Sequence, residues 1–242
     1  MQGFFASLRM TALTTTRLNM KHPGLFITLE GIDGTGKSTQ IRGLVRHLRE
    51  CGHRVRVTRE PGGTPAGGRI RAILLATSTG KLAPLAELAL MYAARAQHLA
   101  EVVRPALARG EIVVSDRYND ASLAYQGYGR KLGTADVRAF DRIVCGRTQP
   151  DLTIILDLDP GQALARAQGR ETRRKSRRGR FEAQGLVFHQ RVRAEYLAIA
   201  RSAPGRAKVV RADQAVGEVQ TAIRELVDEC LARHLKSIRK RG

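Results

Sequence analysis

The stretch GIDGTGKS, residues 31–38, constrains this chain more than any other, because it fits GxxxxGK[ST] in full. An apolar, β-favouring run, LFITLE, precedes it, and a segment of helical period follows. Strand, loop and helix in that order predict a phosphate-binding loop. Its glycines let the backbone curl until successive N–H groups face an anion, and the helix N-terminus adds favourable potential. Gly31, Ile32, Asp33, Gly34, Thr35, Gly36, Lys37, Ser38 and Thr39 are the candidate ATP-binding residues. Lys37 would reach the β- and γ-phosphates, and the Ser38 hydroxyl would hold Mg²⁺. The competing reading, a chance glycine turn, leaves the flanking strand and helix as coincidence.

The rest of the chain repeats the alternation. Short apolar runs at 25–30, 54–58, 112–115, 152–158 and 208–211 read as strands. Segments 38–50, 83–109, 134–145, 161–167, 182–201 and 216–235 read as helices, with Pro105 placed to kink the second. Such βαβ order predicts an α/β fold, a five-stranded parallel sheet flanked by helices. Residues 59–68 and 116–127 follow predicted strands, where ligands of open α/β sheets bind. Residues 169–180, GRETRRKSRRGR, form a basic segment that reads as mobile.

Charge sets the range of partners. The chain has 242 residues, with 42 Lys and Arg against 22 Asp and Glu, a formal charge of +20. Both nucleic acid and small polyphosphate substrates suit that balance. Only 5% of residues are aromatic and no RNA-binding signature is present, so nucleic acid is the weaker expectation. Cys51, Cys145 and Cys230 are too widely spaced for a zinc site or a disulfide framework, and they suit a reducing, cytoplasmic compartment. No run approaches the ~20 apolar residues of a membrane span. Residues 1–23 contain no acid and resemble a transit peptide only loosely. They are expected to be a flexible N-terminal extension, with Met20 as an alternative start, leaving 24–242 as the folded domain.

A phosphate loop alone names no reaction. The chain lacks an NKxD guanine reader and is short for a motor, whereas a kinase needs a second site for its acceptor. Asp33 together with TREPGGT (58–64), YAARAQH (92–98), DRYNDASLAYQG (116–127), PDLTIILDLDP (150–160) and RFEAQGLVFHQRVRAEY (180–196) resembles the thymidylate kinase family. The resemblance runs from Gly24 to the last helix and implies a P-loop NTPase fold, ATP as donor, dTMP as acceptor, Mg²⁺ and a homodimer. Another nucleoside monophosphate kinase is the alternative enzyme, and a nucleic-acid-binding P-loop protein the alternative of a different class.

Roles for single residues follow from the resemblance. Asp33 would contact the ribose 3′-hydroxyl, consistent with a carboxylate that needs a hydroxyl or cation near phosphates; a merely solvated Asp is the other reading. Arg59, Glu60, Arg71 and Arg95 would border or grip the acceptor. Arg95 also stands out on chemistry, as a guanidinium in an otherwise apolar helix that needs an anionic partner, which a structural salt bridge would equally supply. Asp116 would lie near Mg²⁺, and Arg117 would bridge donor and acceptor phosphates. Ser122, Tyr125 and Gln126 would line the base pocket, although Tyr125 could be ordinary helix packing. Met91 stands where many relatives place a Phe that stacks on the base, and Ala121 where some have Ser. Gly34 stands where some relatives carry an arginine, which resembles the bacterial type whose catalytic arginine comes from a lid. Arg180 fits the lid pattern best, and Arg173, Arg174, Arg177 and Arg178 cannot be aligned singly. Ala212, Asp213 and Gln214 resemble the loop that borders adenine.

Overall fold

The structure, a computed structural model, describes residues 23–174, 180–181 and 183–239. Five strands make one parallel sheet: β1 (Leu25–Glu30), β2 (Val55–Arg59), β3 (Ile112–Asp116), β4 (Leu152–Asp157) and β5 (Ala207–Arg211), in the order β2-β3-β1-β4-β5. The register sets Leu29 beside Asp116 and Glu30 beside Ile155, so the carboxyl ends of the central strands converge on one edge. Period-2 alternation divides their side chains between two cores. Leu25, Ile27, Leu29, Ile112 and Val114 pack on one face, and Phe26 and Val113 on the other.

Helix α1 (Lys37–Glu50) buries Ile41, Leu44, Val45 and Leu48, the i, i+3, i+4, i+7 stripe of an amphipathic helix. Its N-cap is Gly36 in a left-handed conformation, with no side-chain cap, so its first N–H groups stay free for an anion. Helix α2 (Pro65–Leu75) starts inside segment 59–68, which follows the second strand. Pro65 presets its first turn, and the Thr64 hydroxyl accepts from Gly67 N at 2.9 Å.

The single helix expected over 83–109 is α3 (Pro84–His98), a wide π stretch at Leu99–Val103, and α4 (Arg104–Ala108). Pro105 has no N–H to give to the preceding turn, and the chain widens just before it instead of breaking. The segment 116–127, placed after a strand with no helix expected in it, is largely helical: α5 (Asn119–Ser122) runs into a π stretch at Leu123–Gly129. Buried Ala124, Tyr125 and Gln126 pack it inward, so tertiary burial overrides a weak local pattern. The remaining helices are α6 (Thr134–Val144), α7 (Pro160–Arg174), α8 (Leu186–Ser202) and α9 (Val216–Arg239). Helix α7 extends seven residues beyond the expected 161–167, into the segment read as a lid, and α8 starts four residues later than expected. Residues 1–22, with the expected extension, and 175–179, with Arg177 and Arg178, lie outside the described residues.

Candidate active site

The phosphate loop is bound to itself by its own lysine. Lys37 is buried, and its Nζ donates to the carbonyl oxygens of Gly31 and Ile32, each at 2.9 Å. Burial and the nearby Arg117 lower its pKa to about 8, against the opposing pull of Asp33. A phosphate placed there would restore the favoured ammonium. Gly34 permits the tightest approach in the loop: its φ is 92°, and a Cβ there would lie 1.9 Å from the Ala163 carbonyl oxygen.

Arg117 crosses from the end of β3 to this loop. Its Nη1 donates to Gly31 O at 2.9 Å and to the Tyr196 hydroxyl at 3.2 Å. Its Nη2 donates to Asp33 Oδ1 at 2.8 Å and to the Tyr125 hydroxyl at 3.1 Å. Burial works against ionisation of Asp33, but Arg117 and then Lys37 outweigh it and hold the carboxyl at about 2. Asp33 is thus an anion at neutral pH, poised beside two cations.

A cleft of about 680 Å³ opens outside the ends of β2 and β3. It is lined by Ser38 and Asp116, the two expected metal ligands, and by Arg59, Arg71, Arg42 and Arg56. Asp116 Oδ1 is buried with no hydrogen-bond partner, an atom whose desolvation is left uncompensated. A hydroxyl and a carboxylate form the oxygen set that a hard cation takes, so these residues fit Mg²⁺. Arg71 donates to Pro61 O at 3.0 Å, and burial followed by repulsion from Arg59 and Arg117 lowers its pKa. The cluster is short of negative charge, which a dianionic phosphate would supply.

A second, tighter cavity of about 50 Å³ gathers Asp33, Glu60, Met91, Arg95, Arg117, Ser122, Tyr125 and Gln126. Arg59 and Arg71 are absent from its wall and belong to the larger cleft. Arg95 is almost fully buried. Its Nε donates to Glu60 Oε2 at 2.6 Å, and its Nη2 to Tyr118 O and Ser122 Oγ at 3.1 and 3.0 Å. Its guanidinium lies 4.4 Å from the Tyr92 ring centroid. Burial works against its charge, yet Glu60 prevails and raises its pKa. The Glu60 carboxylate also takes His98 Nδ1 at 2.8 Å. The structural salt bridge and the place in the pocket wall therefore coexist in one residue. Gln126 donates to Glu87 Oε1 at 2.9 Å, which fixes its amide and leaves its own buried Oε1 without a partner.

The family model described as Thymidylate kinase matches residues 29–223. The chain belongs to the thymidylate kinase family. It is 46% identical over 205 residues to the thymidylate kinase of Geobacter sulfurreducens, covering 84% of this chain and 96% of that one. Identity to the thymidylate kinase of Syntrophotalea carbinolica is 50% over 195 residues, or 80% and 90% of the two chains. The crystal structure of thymidylate kinase from Ehrlichia chaffeensis superposes with a TM-score of 0.67 at 30% identity, covering 85% and 98%. The enzyme is accordingly a nucleoside monophosphate kinase of P-loop fold.

Within this kinase the expected lid arginine occupies a different place from the phosphate loop. Arg180 Nε donates to Leu74 O at 3.1 Å, Nη1 to Gly80 O at 2.6 Å, and Nη2 to Ala76 O at 2.7 Å and to the Thr79 hydroxyl. It closes the C-terminal end of α2, where carbonyl groups lack helical partners. Its neighbour Phe181 enters the smaller cavity and meets the Tyr125 ring at 5.7 Å. Ala212 is buried in the loop after β5 and accepts from Arg166, whereas Asp213 and Gln214 are exposed.

Sequence reasoning missed four residues of this site. Glu87 carries no local signal, and Phe181 and Tyr196 lie within the motif 180–196, which by itself assigns neither a role. Glu30 did carry one, an acid closing an otherwise apolar strand.

Proposed function

We propose that the enzyme transfers the γ-phosphoryl group of ATP to dTMP, giving ADP and dTDP, with Mg²⁺ held by Ser38 and Asp116. Bound there, Mg²⁺ would neutralise charge that develops on the transferred group. The dTMP phosphate oxygen is already anionic near neutral pH, so attack on the γ-phosphorus needs no strong general base. What the chain must supply is position and positive potential. Lys37 and Arg117 would give up their internal acceptors for phosphate oxygens. Arg59 and Arg71 would hold the acceptor phosphate, and Asp33 the ribose hydroxyl.

The observation that carries the acceptor assignment is Gln126 on the wall of the smaller pocket. The free Oε1 of Gln126 suits the N3–H of a thymine or uracil ring, which cytosine lacks. Met91 and Phe181 offer the ring an apolar and an aromatic wall, and Phe181 sits where the sequence alone offered only Met91. Ligand pockets usually exceed ~300 Å³, so Leu75 and Phe181 must draw back for a nucleotide to enter.

The test is ADP formation with Mg-ATP and dTMP, dUMP, UMP or AMP in turn. Turnover with dTMP is expected to exceed the rest, and faster turnover with AMP would overturn the assignment. A homodimer is part of the same reading, expected at twice the 26.6 kDa chain mass by light scattering. Cys51, Cys145 and Cys230 form no disulfide, which supports a cytoplasmic setting.

A further inference from the structure

Arg117 has a backbone φ of 72°, in the left-handed region that residues with a Cβ rarely adopt. Such a conformation persists only where its surroundings over-determine it. Here the chain must reverse at the end of β3 for the guanidinium to face the phosphate loop. Three hydrogen bonds pin that reversal. Arg117 N donates to Leu29 O at 3.0 Å, Ser115 Oγ donates to Arg117 O at 2.7 Å, and Tyr118 N donates to Glu30 Oε1 at 2.7 Å.

The other oxygen of Glu30 acts on the side chain. Tyr196, from α8, donates its hydroxyl proton to Glu30 Oε2 at 2.8 Å, and the same hydroxyl accepts from Arg117 Nη1 at 3.2 Å. One carboxylate thus orients Arg117 twice, through the peptide that follows it and through the tyrosine that receives its guanidinium. Glu30 is completely buried and lines neither the cleft nor the pocket, so it touches no substrate.

We infer that Glu30 is a positioning residue for phosphoryl transfer, holding Arg117 in its strained backbone conformation and aiming its guanidinium at the transferred phosphate. The role rests on the phosphoryl-transfer reading above. A buried acid serving packing alone would need only to be satisfied. This one spends both oxygens on a single arginine. In Glu30→Gln the oxygen can still accept from Tyr118 N, but the amide meets the Tyr196 hydroxyl as a donor, and the proton of that hydroxyl loses its acceptor.

The experiment compares kcat and both KM values in Glu30→Gln, Tyr196→Phe, Arg117→Ala and the Glu30→Gln/Arg117→Ala pair, with radiolabelled ATP for the slow variants. Glu30→Gln is expected to lose about tenfold or more in kcat with each KM within roughly threefold, since the lost interaction serves the transition state. Tyr196→Phe removes one hydroxyl and leaves the fold intact, and it should lose kcat in the same direction by less. In the Arg117→Ala background Glu30→Gln should cost less than about twofold more, because groups acting as one unit are not additive. A kcat within twofold of wild type in both Glu30→Gln and Tyr196→Phe, or full multiplication of the losses in the double variant, overturns the inference. Should wild type prefer an acceptor other than dTMP, the comparison is run on that acceptor, so the substrate assignment and the positioning role fail separately.

Discussion

Glu30 gives a stability prediction whose sign opposes its effect on rate. Burial pushes its carboxyl up, Arg117 pulls it back, Asp120 adds to the rise, and the balance is a pKa of about 7 against 4.5 for an ordinary glutamate. The folded state therefore holds a proton that the unfolded chain releases between those two values, and stability falls as pH rises from 4.5 to 7. The difference, 7 − 4.5 = 2.5, corresponds to about 3 kcal/mol at 1.36 kcal/mol for each pKa unit. Gln resembles the protonated acid and carries no such cost. Relative to wild type, the unfolding free energy of Glu30→Gln should therefore rise by about 2–3 kcal/mol between pH 5 and pH 8.5, from a starting point lowered by the acceptor that the Tyr196 hydroxyl loses. Charged groups coupled to Glu30 from several elements, Lys37, Arg117, Asp120 and Arg206, remain in the variant, and Lys37, whose pKa of about 8 Glu30 helps to hold up, titrates near the upper end of the window. Urea melts followed by circular dichroism at the two pH values read the difference directly. A gap that does not move in favour of the variant as pH rises would refute the reasoning. A gain in stability alongside a loss of kcat would mark Glu30 as a residue kept for function at a cost to the fold.

Three other substitutions separate roles that share one residue. Arg95→Ala leaves Glu60 buried with His98 as its remaining neighbour and should cost about 3–5 kcal/mol in a urea melt; adding Glu60→Gln should recover part of it. Lost activity in Arg95→Ala alone thus says little about the acceptor. Asp116→Asn should raise the Mg²⁺ concentration for half-maximal ADP formation by roughly 10–100-fold, and an unchanged titration would remove Asp116 from the metal site. Arg180→Ala strips donors from the carbonyls of Leu74, Ala76 and Gly80 and should raise KM for dTMP several-fold, about 3–10-fold, through loosening of α2. A loss of kcat with KM unchanged would instead favour the lid-catalytic role expected from the sequence.

The strand–loop–helix of residues 25–50 and the central strands β1, β3 and β4 were legible because burial on both faces of a parallel sheet leaves an apolar run that few other environments permit, whereas the partly exposed edge strands β2 and β5 were legible by their β-branched residues. The phosphate loop was legible because only small residues survive there: a Cβ at Gly34 would strike the Ala163 backbone. Helicity over 119–129 was not legible. Its polar and glycine residues favour loops locally, and what makes them helical is packing against residues distant in the chain. The same limit hid Phe181 and Tyr196. Each enters the site from a segment more than 140 residues beyond the phosphate loop, and their spacing encodes nothing about where they fold. Arg180 shows the converse: its motif drew attention to the right segment, while its partners came from the end of α2.

Two arginines, Arg95 buried and Arg117 partly exposed, organise the site by one rule with different ends. Arg95 gives its Nε to Glu60 and most of its remaining donors to α5 and the peptide before it, so substrate can claim little from it without breaking the pocket wall. Arg117 is held by groups of another kind. Its acceptors are a loop carbonyl, two phenols and the one oxygen of Asp33, and Glu30 grips it only through Tyr118 and Tyr196. Phenols and carbonyls are weaker acceptors for a guanidinium than phosphate oxygens are. An arginine fixed at its backbone, whose ion pair is to Asp33 of the phosphate loop itself, can turn to a phosphate bound by that loop without losing its place. The direct ion pair to Glu60 fixes the wall that reads the acceptor, and the indirect hold of Glu30 leaves the cation free for the group that moves.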